Sequence, residues 1–257
     1  MKSSWYTPTV SEAISTALWL ALLKQAKPLK NVWLAKCGRK HTYASRTYVI
    51  MAASPGPILA DLWLDSQPNM KAELSFYKKK IVSHPIPSSD HIEPFIGNVE
   101  NLWVYYCSAQ KSNYVSNRFF CNSSLRNRVI GYQMYKFDIK GFLHWGFNFY
   151  YKRLSKGLID PFTVSDAGKE FPSGDSYIVY PAKDGTAYHS IRLKVFYDAL
   201  QDMAALKTLE KLTDKKTCLD IIEEKGKHNL TFSNYPHDES WLLRTREAVN
   251  SAIKENI

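Results

Sequence analysis

The sequence predicts an α/β fold with parallel strands joined by helices, either a barrel or an open doubly wound sheet. Three observations carry this prediction. The runs Leu102–Cys107 (LWVYYC) and Gly141–Tyr150 (GFLHWGFNFY) are dense in the aromatic and β-branched residues of buried strands. Between them, Leu125–Ile139 (LRNRVIGYQMYKFDI) repeats Leu125, Val129, Tyr132 and Tyr135 or Lys136 at helical spacing. Strand, helix, strand is a βαβ unit, whose crossover makes its two strands parallel. The third observation is a largely helical stretch over residues 191–257.

In chain order, residues 1–57 form a basic head that ends in the breaker AASPGP. Its apolar run Ala13–Leu23 has eleven residues, short of the ~17–25 that cross a bilayer. Glu12 abuts that run and no small-x-small cleavage site follows, so a short buried helix is the better reading than a signal peptide. The middle zone alternates aromatic runs with Pro, Gly, Asn and Ser turns. After the turn PSGD, Ser176–Tyr180 (SYIVY) reads as a third strand. Ile191–Leu212 carries Phe196, Leu200, Met203, Leu206 and Leu209 at steps of three and four, a helix of about six turns. Thr217–Glu224 and Ser240–Lys254 read as two more helices, the latter capped by Asp238 or Ser240.

Composition narrows the function classes. With 45% hydrophobic and 14% aromatic residues among 257, the chain can bury a core. Its formal charge of +10 suggests a nucleic-acid partner only until the charge is located. Eight Lys/Arg and one acid sit in residues 1–57, which leaves +3 on the remaining 200. The body is nearly neutral. The clusters RKH (Arg39–His41) and YKKK (Tyr77–Lys80) lack a basic–aromatic rhythm and read as solvated surface. Cys37, Cys107, Cys121 and Cys218 form no CxxC pair, which argues against a zinc ribbon, and free thiols fit a reducing, cytoplasmic setting. No GxGxxG or GxxxxGK[ST] occurs, so a dinucleotide or triphosphate site lacks its fingerprint.

Ligands of α/β sheets sit at the C-terminal ends of the strands. Here that edge holds Tyr105, Tyr106 and Cys107, then Trp145, Asn148 and Phe149. His144, Trp145 and Asn148 are polar or amphipathic groups inside an apolar run. They are either a sugar platform, with the indole under a pyranose face, or core residues satisfied internally. Rings at Tyr105 and Tyr106 point to opposite faces, so one of them at most lines a given pocket. SDHIEPF brings Asp90, His91 and Glu93 together as an acid/base or metal group, or as a plain strand-to-turn junction before Pro94. The adjacent acid pairs are Glu223-Glu224 and Asp238-Glu239; both suit helix surfaces and termini better than catalysis.

Beyond these local readings, residues from about Pro68 to Ile257 resemble the C-terminal half of the glycoside hydrolase family 123-like catalytic domain. The phrases that carry the resemblance are FYKKKIVSHPIPSSDHIEPF, NLWVYYCSAQ, SNRFF, RNRVIGYQMYKFDIKGFLHWGFNFY, IDPF…PSGDSYIVYP and SIRLKVFYDALQDMAALKTLE. The resemblance implies an incomplete (β/α)8 TIM-type barrel with a helical C-terminus over residues 58–257, preceded by the unrelated head 1–57. It implies hydrolysis of N-acetylhexosamine glycosides, with the substrate's own acetamido group as nucleophile and no cofactor or metal. Trp103, Tyr105, Trp145 and Asn148 would line the sugar, with His144 and Asp90 as further contacts. In the family the two acids are an adjacent Asp-Glu on an earlier barrel strand, commonly followed by Pro; no Asp-Glu-Pro occurs here, so no catalytic residue is assigned. The expectation is a truncated or disrupted copy that is weak or inactive, or else a non-catalytic carbohydrate-binding or interaction module. The partner is then a carbohydrate, with no nucleic acid and no membrane; the oligomeric state stays open.

Overall fold

The structure is a computed structural model that describes residues 74–75, 77–80, 85–108, 110 and 114–257. The helix expected at Ala13–Leu23, the AASPGP breaker, the RKH cluster and the boundary at residue 57 lie outside the described residues.

Strands β1 (Trp103–Tyr106) and β2 (Gly141–His144) pair in parallel, with Trp103 opposite Gly141 and Tyr106 opposite His144. Helices α1 (Ser124–Arg128) and α2 (Ile130–Lys136) lie between them in the chain, so the βαβ unit is present. A third extended segment runs parallel to β1 on its other side. There the Ser89 N–H donates to Tyr105 O at 2.9 Å, and the Tyr105 N–H to Pro87 O at 2.8 Å.

The barrel expectation is met only as this parallel fragment. Among the described residues no closed barrel forms, and β3 (Val179–Pro181) and β4 (Ala187–His189) make a separate antiparallel hairpin. The ten-residue strand expected at Gly141–Tyr150 stops at His144. The reason is close backbone contact at Gly146, where a Cβ would lie 2.7 Å from the Ser176 carbonyl oxygen. Residues 147–149 then turn to residues 176–178, with Phe149 N–H donating to Ser176 O and Ile178 N–H to Phe147 O. The first half of the expected strand Ser176–Tyr180 is used in that exchange, and only its end enters β3.

The C-terminal helices follow the sequence closely. Helix α3 (Ile191–Leu212) starts at Ser190, whose Oγ accepts from Leu193 N–H at 3.2 Å. Asp214 caps α4 (Lys215–Ile222), and Asp238 rather than Ser240 caps α5 (Glu239–Glu255). Such side-chain acceptors satisfy N–H groups that a helix start leaves without partners. The single helix expected at Leu125–Ile139 is divided at Val129 into α1 and α2.

One core lies among the helices, with Tyr132, Leu206, Leu209, Ile222 and Trp241 buried together. A second joins the helices to one face of the sheet, where Val104 and Phe142 meet Ile130, Met134 and Ala199. On the other face Tyr105 and Leu143 pack with Ile86 and Phe119. Buried Asp202 of α3 ties three helices by accepting from Arg128 at 2.6 and 2.9 Å and from Arg246 at 2.9 Å. An acid so placed is tolerated because both oxygens meet charged donors. No helix among the described residues is long and apolar enough to cross a membrane.

Helices α2 and α3 touch backbone to backbone at Gly131, where any side chain would run into the Ala199 carbonyl. Gly131→Ala is therefore expected to lower unfolding free energy by about 1–3 kcal/mol through overpacking. Urea denaturation measures it; an unchanged midpoint would contradict this contact.

Candidate functional site

Because β1 and β2 are parallel and in register, their C-terminal ends meet at one level, Tyr106 beside His144. Above that level the PSGD loop delivers Asp175. Its Oδ1 accepts from the Tyr106 hydroxyl at 2.9 Å, and its Oδ2 from Trp145 Nε1 at 2.6 Å. Tyr106 is the last residue of β1 and Trp145 follows the last residue of β2, and both belong to one buried cluster with Tyr105, Cys107, Val115 and Leu143. One carboxylate thus clamps a ring from the end of each strand.

Asp175 has no exposed surface. Burial pushes its carboxyl up to about 6, while the Trp145 and Tyr106 hydrogen bonds and the Arg118 charge limit the rise. An acid poised there takes or gives a proton near neutral pH. With the proton on Oδ1 the Tyr106 hydroxyl reverses to accept, since a phenol does either.

Two buried arginines complete the cluster. The Arg118 guanidinium lies 4.7 Å from the Phe142 ring centre and 5.2 Å from that of Phe196, between sheet and α3. Desolvation lowers it to about 10, and Tyr106 and Asp175 oppose that fall. Arg192, at the start of α3, donates to the carbonyls of Gly174 and Arg118 and holds the PSGD loop to the helix. His144 is neutral. Burial first, then Arg118 and Arg192, depress it well below its ordinary range. The Gly146 N–H donates to His144 Nδ1 at 3.1 Å, which assigns the ring proton to Nε2. That Nε2 is buried with no hydrogen-bond partner among the described residues.

The residues singled out from the sequence are distributed unevenly around this cluster. Trp145 and His144 belong to it, and Trp145 is covered by Phe171 at 4.7 Å and Phe149 at 5.5 Å between ring centres. Tyr105 is buried on the face opposite Tyr106, beside Cys107. Trp103 stands at the far end of β1, its indole over Gly141 where a side chain would collide. Asn148 is half-buried and paired with Tyr177 through a backbone bridge.

Asp90 lies just past the edge segment, accepting from Ser88 Oγ at 2.5 Å and facing His91 Nδ1 at 2.9 Å. Ser88 Oγ approaches the same Nδ1 at 3.4 Å, so this trio is no hydrolase relay, which needs opposite ring nitrogens. Glu93 is exposed at the start of a single turn, Glu93–Phe95, that Phe95 anchors in the core. No group of three or more His, Cys, Asp or Glu among the described residues could hold a metal.

Sequence reading missed Asp175, Arg118 and Arg192. The signal available for Asp175 was an acid between a Gly turn and an apolar strand; for Arg118, an Arg beside two Phe in SNRFF.

This strand-end arrangement meets an independent finding. The family model for the glycoside hydrolase 123 catalytic domain matches residues 60–209, more than half the chain. The chain belongs to the glycoside hydrolase 123 family. The match takes in β1, β2, the PSGD loop, the hairpin and most of α3; α4 and α5 follow it. A comparison with curated proteins finds no match.

For this glycoside hydrolase 123 member the Asp175 clamp has a measurable pH signature. The carboxyl takes up its proton near pH 6 when folded and near ~3.9 when unfolded. The folded state therefore holds the extra proton between those values, and stability rises as pH falls through the window. Neutral His144 acts in the opposite sense, because acid charges it only in the unfolded chain. Comparison with Asp175→Asn isolates the first effect. Between pH 7.5 and 4.5 the unfolding free energy of wild type should gain about 2 kcal/mol relative to the variant. A pH-independent difference would place Asp175 in solvent.

Proposed function

We propose that the chain recognises N-acetylhexosamine-type glycosides at the C-terminal ends of β1 and β2, and hydrolyses them slowly or not at all. The observation that carries this reading is the Asp175 clamp on Trp145 and Tyr106 in a member of a glycoside hydrolase family. A fixed indole offers the apolar face of a pyranose a flat partner, and nearby polar groups of Asn148 and His144 suit hydroxyl or acetamido contacts. Access to the indole requires Phe171 to move aside. Its loop is suited to that, with Ala167, Gly168, Lys169 and Gly174 all at positive φ.

Weak turnover follows from the acids. Attack by the substrate's acetamido oxygen on the anomeric carbon needs one carboxyl to protonate the leaving oxygen and another to orient the acetamido group. The two adjacent acid pairs of the sequence have other work. Glu223 binds Lys136 and the Leu230 N–H, and Glu224 pairs with His228 and Arg244. Asp238 caps α5 and is exposed. Asp175, a single buried acid, supports binding better than a two-acid mechanism.

Two measurements on the full chain test this reading. Calorimetric titration with N-acetylhexosamines is expected to show saturable binding, weakened about tenfold or more by Trp145→Ala, as truncation of a buried aromatic anchor does. Hydrolysis of a nitrophenyl N-acetylhexosaminide is expected to be near the uncatalysed rate. Absence of binding would remove the reading; rapid hydrolysis abolished by Asp175→Asn would make the chain an efficient enzyme and overturn its second half.

A further inference from the structure

Two guanidiniums and one carboxylate are closed off from solvent beside the ends of β1 and β2, and their charges do not cancel. Arg118, Arg192 and Asp175 are all buried. Neither arginine meets a carboxylate among the described residues. Their hydrogen bonds go to the carbonyls of Ser116, Arg118 and Gly174 and to the Ser116 hydroxyl. Asp175 gives its two oxygens to Tyr106 and Trp145. Burial raises the phenols of Tyr106 and Tyr177, so they add no negative charge at neutral pH. The cluster is left with a positive surplus, and a buried charge without a counter-charge is costly.

Donors without acceptors stand at the same place. The Gly146 N–H occupies His144 Nδ1, which leaves the ring proton on Nε2. That Nε2 and Arg192 Nη2 are buried with no hydrogen-bond partner among the described residues. The His144 ring lies 5.1 Å from the Tyr106 ring centre and 6.4 Å from that of Phe142. The Arg118 guanidinium lies 5.7 and 4.7 Å from the same two centres, so imidazole and guanidinium flank one pair of rings. Arg192 reaches in from α3, with Nη1 3.3 Å from the Arg118 carbonyl oxygen. Both guanidinium charges act on the imidazole.

One ligand class answers both features. A water would accept the His144 proton but leave the charge unbalanced. A cation would add to the surplus. A phosphate or a sugar carboxylate needs an opening, whereas His144 and Arg192 are 8% exposed and Arg118 2%. A monatomic anion needs the least room, accepts from several N–H groups at once and supplies the missing charge.

We propose that the chain binds a single halide ion, chloride being the natural one, held by the His144 Nε2–H and the guanidiniums of Arg192 and Arg118. The inference does not rest on the sugar reading. One N–H serves one acceptor, so a sugar contact at His144 requires the ion to leave, while the Trp145 indole and Asn148 stay available.

The test uses the full chain at about pH 7.5, where Asp175 is ionised. Potassium gluconate is replaced stepwise by potassium chloride at constant ionic strength, which holds screening fixed. The midpoint of thermal unfolding should rise saturably, by about 2–4 °C once chloride exceeds its Kd about tenfold. His144→Phe and Arg192→Met should abolish the rise. Asp175→Asn removes the carboxylate that repels the ion and should tighten chloride binding about fivefold or more, a direction that loss of a merely structural group does not produce. A crystal grown in potassium bromide should show an anomalous-scattering peak within hydrogen-bond reach of His144 Nε2 and Arg192 Nη2. A midpoint that chloride does not move overturns the site, and any bromide peak seen with it is an adventitious ion only. A chloride effect that survives in both His144→Phe and Arg192→Met belongs to the surface and overturns it as well. Should these variants fail to fold, the bromide crystal decides, and density without a peak at His144 overturns the proposal. No arm involves a sugar, so these outcomes leave the proposed function standing.

Discussion

Burying a carboxylate costs several kcal/mol unless its oxygens find donors, and Asp175 is buried without a direct ion pair among the described residues. Its two oxygens instead take one phenol and one indole, each from the end of a different parallel strand. The consequence spreads outward. The PSGD loop must sit over the strand ends, Gly146 must lie flush against the Ser176 carbonyl, and Arg192 must reach from α3 to hold the loop backbone. The helix-to-sheet seam then closes over Arg118, whose charge is spread across aromatic faces and balanced in part by the same carboxylate.

The cost of this arrangement is visible in its groups. Asp175 is raised, Arg118 and Arg192 are lowered, and His144 is kept neutral with its Nε2 unpartnered among the described residues. Such a concentration of perturbed groups at one strand end is what marks it as a candidate site. The helical half is ordered by contrast. There the one buried acid, Asp202, has two arginine partners, and each helix of α3 to α5 begins at a side-chain cap. Buried polar atoms without partners among the described residues occur in both halves, His144 Nε2 and Ser176 Oγ near the strand ends and Asn127 Oδ1, Gln133 Oε1 and Thr245 Oγ1 on the helices.

The aromatic phrases of the sequence serve both halves. In GFLHWGFNFY, Phe142 carries the seam, His144 and Trp145 enter the clamp, and Phe149 covers the indole. The open rings at Phe120, Phe162 and Tyr188 come from separate segments: Phe120 rests on Gly174 beside Arg192, and Phe162 packs against Tyr180, which stands opposite Tyr188.

Helical periodicity determined α3, and a capping residue marked the start of α5, because those signals are local and packing only ratifies them. The aromatic runs and the helix between them determined that β1 and β2 are parallel neighbours, and the ordered phrases around them determined the family. The tertiary structure alone decided that β2 stops after four residues, since Gly146 meets a backbone thirty positions away in the chain. It alone chose Asp175 as the centre of the site. An acid in a Gly turn looks like any other in sequence; its role comes from Tyr106 and Trp145, which are brought to it by sheet register across long separations. Trp103 shows the converse. Its residue type suits a sugar, yet register sets its indole over Gly141, at the other end of β1 from Tyr106.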